Sequence, residues 1–399
     1  MKSDYDVIVV GAGPGGATAC RYCARVGLKT LLIEKDRFPR YKVCGGCLSL
    51  KAVRLLDLDL GPVVENTVSA VRFTYRAQEP LLIDSEDPIG LMVMRDRFDQ
   101  FLVREALKEG SEFLDGERVL EAKELGNGTK VVLANGERLS CQYLMGADGA
   151  ESVIAKSFPF SLRKIRGDEV GLQSEVPYSS AIHFKKEDLR RVHLDFGRIP
   201  NGYGWVFPKK EGLSIGVGGV FRGGEKHIHQ YFRDFIQDLK LIPGGKVEKT
   251  LGHRLPVYYG AGQKVSYKNV LLVGDAGSMI DPLTGEGIYY AIRSGMLAAE
   301  AVLRSKEKGA PAGALYQNSV QEELFVHLQW ALHVSRIIYR FPQLSYRTLR
   351  QYPELGGLCM QMLGGQTTYP AFVVKVKERI KDLLKGKIGE KIRKAVANP

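Results

Sequence analysis

The cysteines are the residues of this chain most suited to redox or acid chemistry, and four of them form two Cys-x-x-Cys pairs. Cys20 and Cys23 are one pair, Cys44 and Cys47 the other, a spacing that resembles a four-thiolate zinc site. Cys20 and Cys23, however, lie among small apolar residues after Gly16, where a free cysteine packs as a small hydrophobic residue. We therefore predict no metal site and keep Cys44 and Cys47 as the reactive candidates.

The loop around Cys44 leaves more than one role open. Lys42 precedes the cysteine by two residues, and Gly45 and Gly46 follow it. A nearby cation favours the thiolate, which opposes a role as an acid. Cys44 could donate a proton, form a redox pair with Cys47, or be a small residue admitted for its size.

The elements that must position these residues begin with a nucleotide-binding pattern. A run of β-branched residues ends in Gly11-x-Gly13-x-x-Gly16, a small-residue helix follows, and the next strand stops at Glu34. Gly11 permits a tight turn, Gly13 lets the backbone approach a pyrophosphate, and Gly16 lets the helix pack on the sheet. Glu34 lies where an acidic residue accepts a hydrogen bond from a ribose hydroxyl. The pattern predicts a dinucleotide site, whose contacts also include Gly15 and Lys35.

Two later stretches repeat a strand that ends in an aspartate beside glycine, at Asp148-Gly149 and Gly274-Asp275. Together, the three segments resemble the fingerprints of FAD-dependent oxidoreductases of the p-hydroxybenzoate hydroxylase type. In that family the aspartate matching Asp275 binds the ribityl chain, although Asp275 could also cap a helix. The resemblance implies FAD as the cofactor and an α/β, Rossmann-type FAD-binding domain. It adds these residues to the predicted FAD contacts: Arg95, Val119, Asp148, Gly149, Gly285, Gly287 and Ile288.

Two segments narrow the resemblance. Pro39-Arg-Tyr-Lys42-Val-Cys44-Gly45-Gly46 and Tyr203-Gly-Trp205-Val-Phe207-Pro208 are similar to segments of the geranylgeranyl reductase branch, which saturates prenyl chains of lipids, chlorophyll side chains or quinones. The resemblance implies a hydride from reduced flavin and a proton delivered by the protein. The catalytic candidates are then Cys44, Tyr203 and Trp205, with Cys44, Gly45 and Gly46 beside the flavin. Cys47 departs from the family pattern, which commonly has a small residue there.

The strand alternation puts Tyr203, Trp205 and Phe207 on one face. They form either the wall of a site for a long apolar substrate or the core of a sheet. Cys359 lies in an apolar stretch that we predict to be loop-like. With Met360, Met362 and Leu363 it is either buried core or the distal end of a lipid tunnel.

The chain has 399 residues and a net charge of +12, which favours acidic partners. Residues 371–399 hold nine Lys or Arg against three Asp or Glu, with apolar residues at helical spacing. This pattern predicts that the tail forms a helix, which either docks on its own domain or binds an anionic membrane surface. No nucleic-acid motif is present, no stretch reaches ~18 consecutive apolar residues, and the first residues lead directly into the fold. We expect a cytoplasmic protein, with peripheral contact on the inner face of the membrane as one option.

The predicted organisation is a discontinuous FAD-binding domain with an inserted antiparallel-sheet substrate domain and a helical C-terminal region. The FAD-binding domain takes residues 1–65, 95–155 and 261–310, the insert 66–94 and 156–260, and the helical region 311–399. The expected partners are a prenylated lipid or isoprenoid substrate and an electron donor, either NAD(P)H, ferredoxin or quinol. Two other activities stay open, namely an FAD-dependent monooxygenase and a flavoprotein that passes electrons to a membrane quinone.

Overall fold

The structure, a computed structural model, describes residues 3–126, 128–162, 168–221, 225–379 and 381. Its strands are β1 (Tyr5–Val10), β2 (Thr30–Glu34), β3 (Cys47–Ser49), β4 (Val64–Val68), β5 (Ala70–Tyr75), β6 (Gln78–Asp84), β7 (Gly90–Val93), β8 (Glu112–Asp115), β9 (Val119–Leu125), β10 (Gly128–Leu133), β11 (Arg138–Gly146), β12 (Asp168–Pro177), β13 (Arg191–Phe196), β14 (Tyr203–Pro208), β15 (Gly212–Phe221), β16 (Leu251–Arg254), β17 (Ser266–Tyr267) and β18 (Val270–Leu272). Its helices are α1 (Pro14–Arg25), α2 (Leu50–Leu55), α3 (Arg95–Lys108), α4 (Val153–Ser157), α5 (Glu225–Leu239), α6 (Ile288–Lys308), α7 (Ala312–Val320), α8 (Val326–Arg340), α9 (Pro342–Gln351) and α10 (Pro353–Leu363), and residues 369–379 are also helical.

The first sheet is the nucleotide-binding sheet predicted from the glycine pattern. Its central strands run parallel in the order β18-β11-β1-β2-β8, and β9 and β10 extend β11 as an antiparallel arm. Residues 7–9 of β1 are fully buried, as expected for a strand covered by helices on both faces. Val10, Gly146 and Leu272 are neighbours in the register, so the three predicted fingerprint segments meet at one edge of the sheet.

A second, seven-stranded sheet has the order β16-β12-β15-β14-β13-β5-β6. Its pairs are antiparallel except β5 with β13, which run parallel. α5 covers one face, where the missing side chain of Gly204 lets the Phe235 ring approach. A small third sheet has the order β3-β7-β4 and carries Cys47 at its start.

The C-terminal helices close the space beside the second sheet. Tyr346 of α9 stacks on Tyr75 with ring centroids 6.0 Å apart, and its hydroxyl donates to the carbonyl of Phe73 at 3.1 Å. Gly356 of α10 lies so close to Ile83 that a Cβ would stand 2.4 Å from its side chain. The prediction of a loop around Cys359 is wrong. Pro353 starts the helix α10, whose apolar side packs on β6.

The predicted fold class is confirmed. The domain boundaries remain a prediction. Among the described helices, none combines the length and apolar character needed to cross a bilayer. Most of the predicted basic tail, residues 380 and 382–399, lies outside the described residues.

Candidate active site

One cavity of ≈1160 Å³ runs through the molecule and holds most of the predicted site residues on its wall. It begins at Gly13 and Glu34, passes Cys44 and Trp205, and ends at Leu363. Its volume exceeds the ~300–1,000 Å³ of most small-molecule pockets. The cavity therefore has room for a large cofactor and a substrate together.

The turn from β1 into α1 is shaped for close backbone approach. Gly11 has φ +101°, and a Cβ there would lie 2.3 Å from the carbonyl oxygen of Ala147. A Cβ on Gly16 would overlap the carbonyl of Gly11. Gly15 serves helix packing, since its Cβ would stand 2.7 Å from the Ala291 carbonyl on α6. The turn thus has the close approaches expected from the glycine pattern.

The N-terminus of α1 has the features of an anion-binding site. Among the described residues, no side chain caps this helix, and its first turn carries no acidic residue. A Cβ on Gly13 would meet only the Arg95 guanidinium, 4.0 Å away. Burial alone would lower the pKa of Arg95, but Asp99 and the Cys44 sulfur hold it above its ordinary value. Helix N–H groups, open space and a fixed cation are what a pyrophosphate requires.

Glu34 organises the adjacent end of the cavity. One carboxylate oxygen accepts from the N–H of Ala12 at 3.0 Å, and the other from Asp36 at 3.2 Å. Arg40 bridges this carboxylate and that of Asp99, at 3.4 and 3.0 Å. Lys35 is exposed at the same rim. The end of β2 therefore presents a buried acceptor beside an exposed cation, as an adenosine ribose and phosphates require.

The other predicted cofactor contacts lie further along the wall. Val119 is buried at the start of β9. Gly149, with φ +78°, leaves open space at the cavity surface. Asp148 has a structural role, because it accepts from Ser152 at 2.6 Å and from the N–H groups of Val153 and Ile154, which caps α4.

Asp275 lies in a helical turn after β18 and faces the cavity opposite His253. Their side chains are 4.0 Å apart. Burial, together with Lys42, Arg95 and Lys35, lowers the pKa of His253 to about 3. The imidazole is therefore neutral near pH 7, and its buried Nε2 has no hydrogen-bond partner within the described part of the chain. This orphaned polar atom beside a carboxylate suits the hydroxyl-bearing part of a cofactor.

A second helix N-terminus points at the same space. α6 begins after Gly287, again with no side-chain cap among the described residues, and Ile288 lines the cavity. Gly285 has φ +67°. Glu286 between them accepts from the Ser49 hydroxyl and pairs with Lys51 at 2.5 Å. This pairing ties the loop before α6 to the segment that follows Cys47.

These features fit FAD. The start of α1 with Arg95 would hold the pyrophosphate, and Glu34 the adenosine ribose. Asp275 and His253 would bind the ribityl hydroxyls, and the Gly285–Ile288 loop the ring system. The donors and the uncapped helix ends match a cofactor with two phosphates and a polar, electron-accepting ring.

The Cys44 loop lies against the aromatic strand. A Cβ on Gly45 would be 2.8 Å from the Phe207 ring, and one on Gly46 would be 2.1 Å from the Val93 carbonyl. The Cys44 sulfur is half-buried, lines the cavity and accepts from the N–H of Gly46 at 3.4 Å. Cys47 starts β3, and burial raises its pKa to about 12, so this thiol stays protonated near pH 7.

The side chains of Tyr203, Trp205 and Phe207 on the aromatic strand β14 line the cavity. Gly204 and Val206 lie on the other face of the strand, which is buried against α5. The Tyr203 hydroxyl donates to the Thr284 carbonyl, which fixes the loop before α6. Of the two interpretations of these aromatic residues, the location matches a cavity wall.

The Trp205 indole lies flat on glycines of neighbouring strands. A Cβ on Gly216, its partner in the register, would come 2.2 Å from the ring, and a Cβ on Gly171 or Gly218 would stand 3.8 or 3.4 Å from it. Any side chain at 216 would lift the ring. Sequence reasoning missed this glycine floor, although the spacing Gly216-x-Gly218-Gly219 in a strand was a signal for it.

Beyond Trp205 the cavity continues as an apolar arm between the second sheet and the C-terminal helices. Its wall is mostly hydrophobic and includes Phe73, Ile89, Leu194, Leu349, Cys359, Met362 and Leu363. Burial raises the pKa of Cys359 to about 12. Met360 is buried in the core cluster that also contains Phe73, so for this residue the core alternative applies.

Sequence reasoning also missed His253, Arg40 and Glu286. His253 is a single histidine on a short strand, and only the sheet topology brings it to Asp275. Arg40 and Glu286 stand inside motifs that were recognised, but the Arg40–Asp99 and Glu286–Lys51 ion pairs join segments far apart in the chain.

Comparison with known proteins identifies the family. Residues 4–192 match the family model described as an FAD binding domain. A digeranylgeranylglycerophospholipid reductase of Thermoplasma volcanium is 33% identical over 330 residues, 74% of this chain and 77% of that protein. The chain belongs to the geranylgeranyl reductase family of FAD-dependent oxidoreductases. The enzyme's predicted cofactor, FAD, is thereby confirmed.

Two further proteins are similar to this chain over most of its length. An uncharacterised protein of Methanosarcina barkeri is 34% identical over 352 residues, 88% of each chain. The crystal structure of a geranylgeranyl bacteriochlorophyll reductase-like protein of Thermoplasma acidophilum superposes with a TM-score of 0.75 at 27% identity. It covers 84% of this chain and 87% of that one.

Proposed function

We propose that this enzyme saturates carbon–carbon double bonds of prenyl chains on a lipid or isoprenoid substrate. The observation that carries the proposal is the single cavity, which joins the FAD-binding end to a long apolar arm. A linear hydrocarbon in the arm would place its double bonds beside Cys44 and Trp205, where the two parts meet. Relatives named for the reduction of geranylgeranyl groups support the same substrate class.

The chemistry requires more than a cofactor. An isolated trisubstituted alkene has no carbonyl to polarise it, so a proton must reach one carbon as a hydride reaches the other. Reduced FAD supplies the hydride when it is bound. The protein must hold the alkene, exclude water and keep a proton donor within reach.

Cys44 is our proposed proton donor. Its sulfur lines the cavity at the junction, and two groups are placed to stabilise the thiolate that remains after the proton leaves. These are the N–H of Gly46, at 3.4 Å, and the Arg95 guanidinium. The Arg95 cation beside the sulfur therefore lowers the energy of the product of proton transfer, the thiolate.

Tyr203 and Trp205 act through position in this proposal. The Tyr203 hydroxyl is already donated to the Thr284 carbonyl, so it holds the loop before α6. Trp205 and Phe207 form the wall against which the chain lies. We also propose that the flavin is reduced by an external electron donor, either NAD(P)H, ferredoxin or quinol.

The test is anaerobic reoxidation of the reduced holoenzyme. Mixing with a geranylgeranyl lipid should restore the oxidised flavin spectrum, whereas the fully saturated analogue should leave the flavin reduced because it offers no double bond. Reoxidation by oxygen alone, with an oxygenated product, would indicate the monooxygenase. Reoxidation only by a quinone would indicate an electron-transfer flavoprotein.

A further inference from the structure

The outer face of α8 and the start of α9 carry an exposed apolar stripe. Val326, Trp330, Ile337, Phe341 and Leu344 are between 36% and 65% exposed. In α8 the first three recur at helical spacing along one side, and the last two continue around the corner into α9. Large exposed apolar patches on a protein surface mark interaction sites. We name these five residues the α8–α9 stripe.

From Val326 to Tyr352 the charged residues beside the stripe have one sign, whereas the exposed Glu322 lies one helical turn before Val326. Residues 326–352 contain four arginines and no Asp or Glu. Arg350 pairs with Glu79. The guanidinium groups of Arg336, Arg340 and Arg347 are exposed and make no ion pair with any described residue. Apolar side chains flanked by unpaired cations are typical of a surface that meets anionic lipid headgroups.

We place the mouth of the apolar arm at the same corner. Ser335, Arg336, Tyr339, Pro342 and Ser345 line the cavity, and Arg336 is itself exposed. The inner side of α8 thus borders the arm while its outer side carries the stripe. A hydrocarbon chain leaving a bilayer at this point would enter the arm without crossing water.

We propose that the α8–α9 stripe docks on a bilayer that contains anionic lipid and so places the mouth of the arm against the membrane. The entry of a prenyl chain through this mouth rests on the proposed function, whereas the docking on the membrane does not. A second copy is a poorer occupant, because a two-fold interface would bring the arginines of both stripes together. The basic residues 382–399 are also poorly suited to cover the stripe, since they carry the same sign of charge.

The experiment is vesicle co-sedimentation of the full-length holoenzyme, with phosphatidylcholine vesicles alone or with phosphatidylglycerol added. One variant replaces the stripe (Ile337→Asn, Phe341→Asn, Leu344→Asn) and another the charge (Arg340→Gln, Arg347→Gln). The control replaces exposed apolar residues on other elements, Leu120 (53% exposed) and Ile182 (60%), by Asn. Flavin spectra check that each variant remains folded.

The parent should bind the anionic vesicles and bind neutral ones weakly. Removing two cations should weaken binding about 30-fold, from about 1 kcal/mol per charge and 1.4 kcal/mol per tenfold. The stripe variant should lose at least ~100-fold, while the Leu120/Ile182 control binds like the parent. Parent-like binding by the stripe variant would overturn the proposal. The proposal would also be overturned if the parent is a dimer that binds no vesicles and the stripe variant is a monomer.

Two further experiments distinguish membrane docking by the stripe from docking by the tail and from the proposed function. Deletion of residues 382–399 should leave binding largely intact, and loss of binding in that deletion would transfer the docking to the tail. Reduction of a detergent-dispersed prenyl lipid should persist in both variants, because the replaced residues are outside the cavity wall. Absence of reduction alongside normal vesicle binding would remove the proposed function and leave the docking in place.

Discussion

Replacing Gly216 by alanine should move Trp205 and damage substrate positioning while FAD stays bound. The added Cβ would stand 2.2 Å from the indole and 2.6 Å from the Leu172 carbonyl. The indole must therefore move, and the Leu172 carbonyl, which belongs to β12 paired with β15, must also give way. Restoring a contact of ~3.5 Å requires a ring shift of about 1.3 Å.

Two measurements follow from this shift. Overpacking of this kind costs about 1–3 kcal/mol of unfolding free energy, measurable by denaturant titration. A displacement of about 1 Å at a reacting group can slow the chemical step ~10²-fold, measurable as reoxidation of the reduced flavin by prenyl substrate. The matched control is Gly218→Ala, on the same strand and face, whose Cβ would meet the ring at an ordinary 3.4 Å. Equal rates and stabilities for the two variants would show that the glycine floor does not position Trp205.

Three other predictions concern single side chains. Cys44→Ser should keep FAD yet slow alkene-driven flavin reoxidation by ~10²–10⁴-fold, as stopped-flow absorbance would show; a parent-like rate in Cys44→Ala would remove the proton-donor role. Asp275→Ala should weaken FAD binding by ~1.5–3 kcal/mol if one charged hydrogen bond is lost, and full occupancy after dialysis would place Asp275 outside the site. Burial would raise the pKa of Asp57, but Arg21 and Arg25 lower it to about 2, below the unfolded value, so its stabilisation exists above pH ~4 and disappears as the pH falls towards 2. Because Asp57 is half exposed, Asp57→Asn should cost only ~0.5–1 kcal/mol at pH 7, and unfolding curves that differ equally at pH 7 and pH 2 would contradict the linkage.

The parts of the site that sequence reasoning predicted are those fixed by short-range chemistry. Gly11 and Gly16 can be read from the sequence because only glycine tolerates the approach of Ala147 and of the Gly11 carbonyl itself. Helix α3 can likewise be read from the sequence, because its apolar positions, such as Phe98 and Leu102, recur at helical spacing.

The parts that sequence reasoning missed depend on contacts between distant segments. The floor under Trp205 combines glycines of β12 and β15, and no local pattern says which ring will cover them. His253 reaches Asp275 only through the edge position of β16. The loop expected around Cys359 proved helical because packing on β6 stabilises a Gly-rich segment with weak intrinsic helix propensity.

The mass of the prenyl lipid after anaerobic turnover shows whether this enzyme saturates double bonds. Holoenzyme, a chemical reductant and a geranylgeranyl lipid are incubated without oxygen, and the extracted lipid is analysed by mass spectrometry beside a sample with heat-denatured protein. We expect a product that has gained two hydrogen atoms for each double bond reduced, with no added oxygen. A lipid of unchanged mass, recovered after the flavin has been reoxidised, would contradict it.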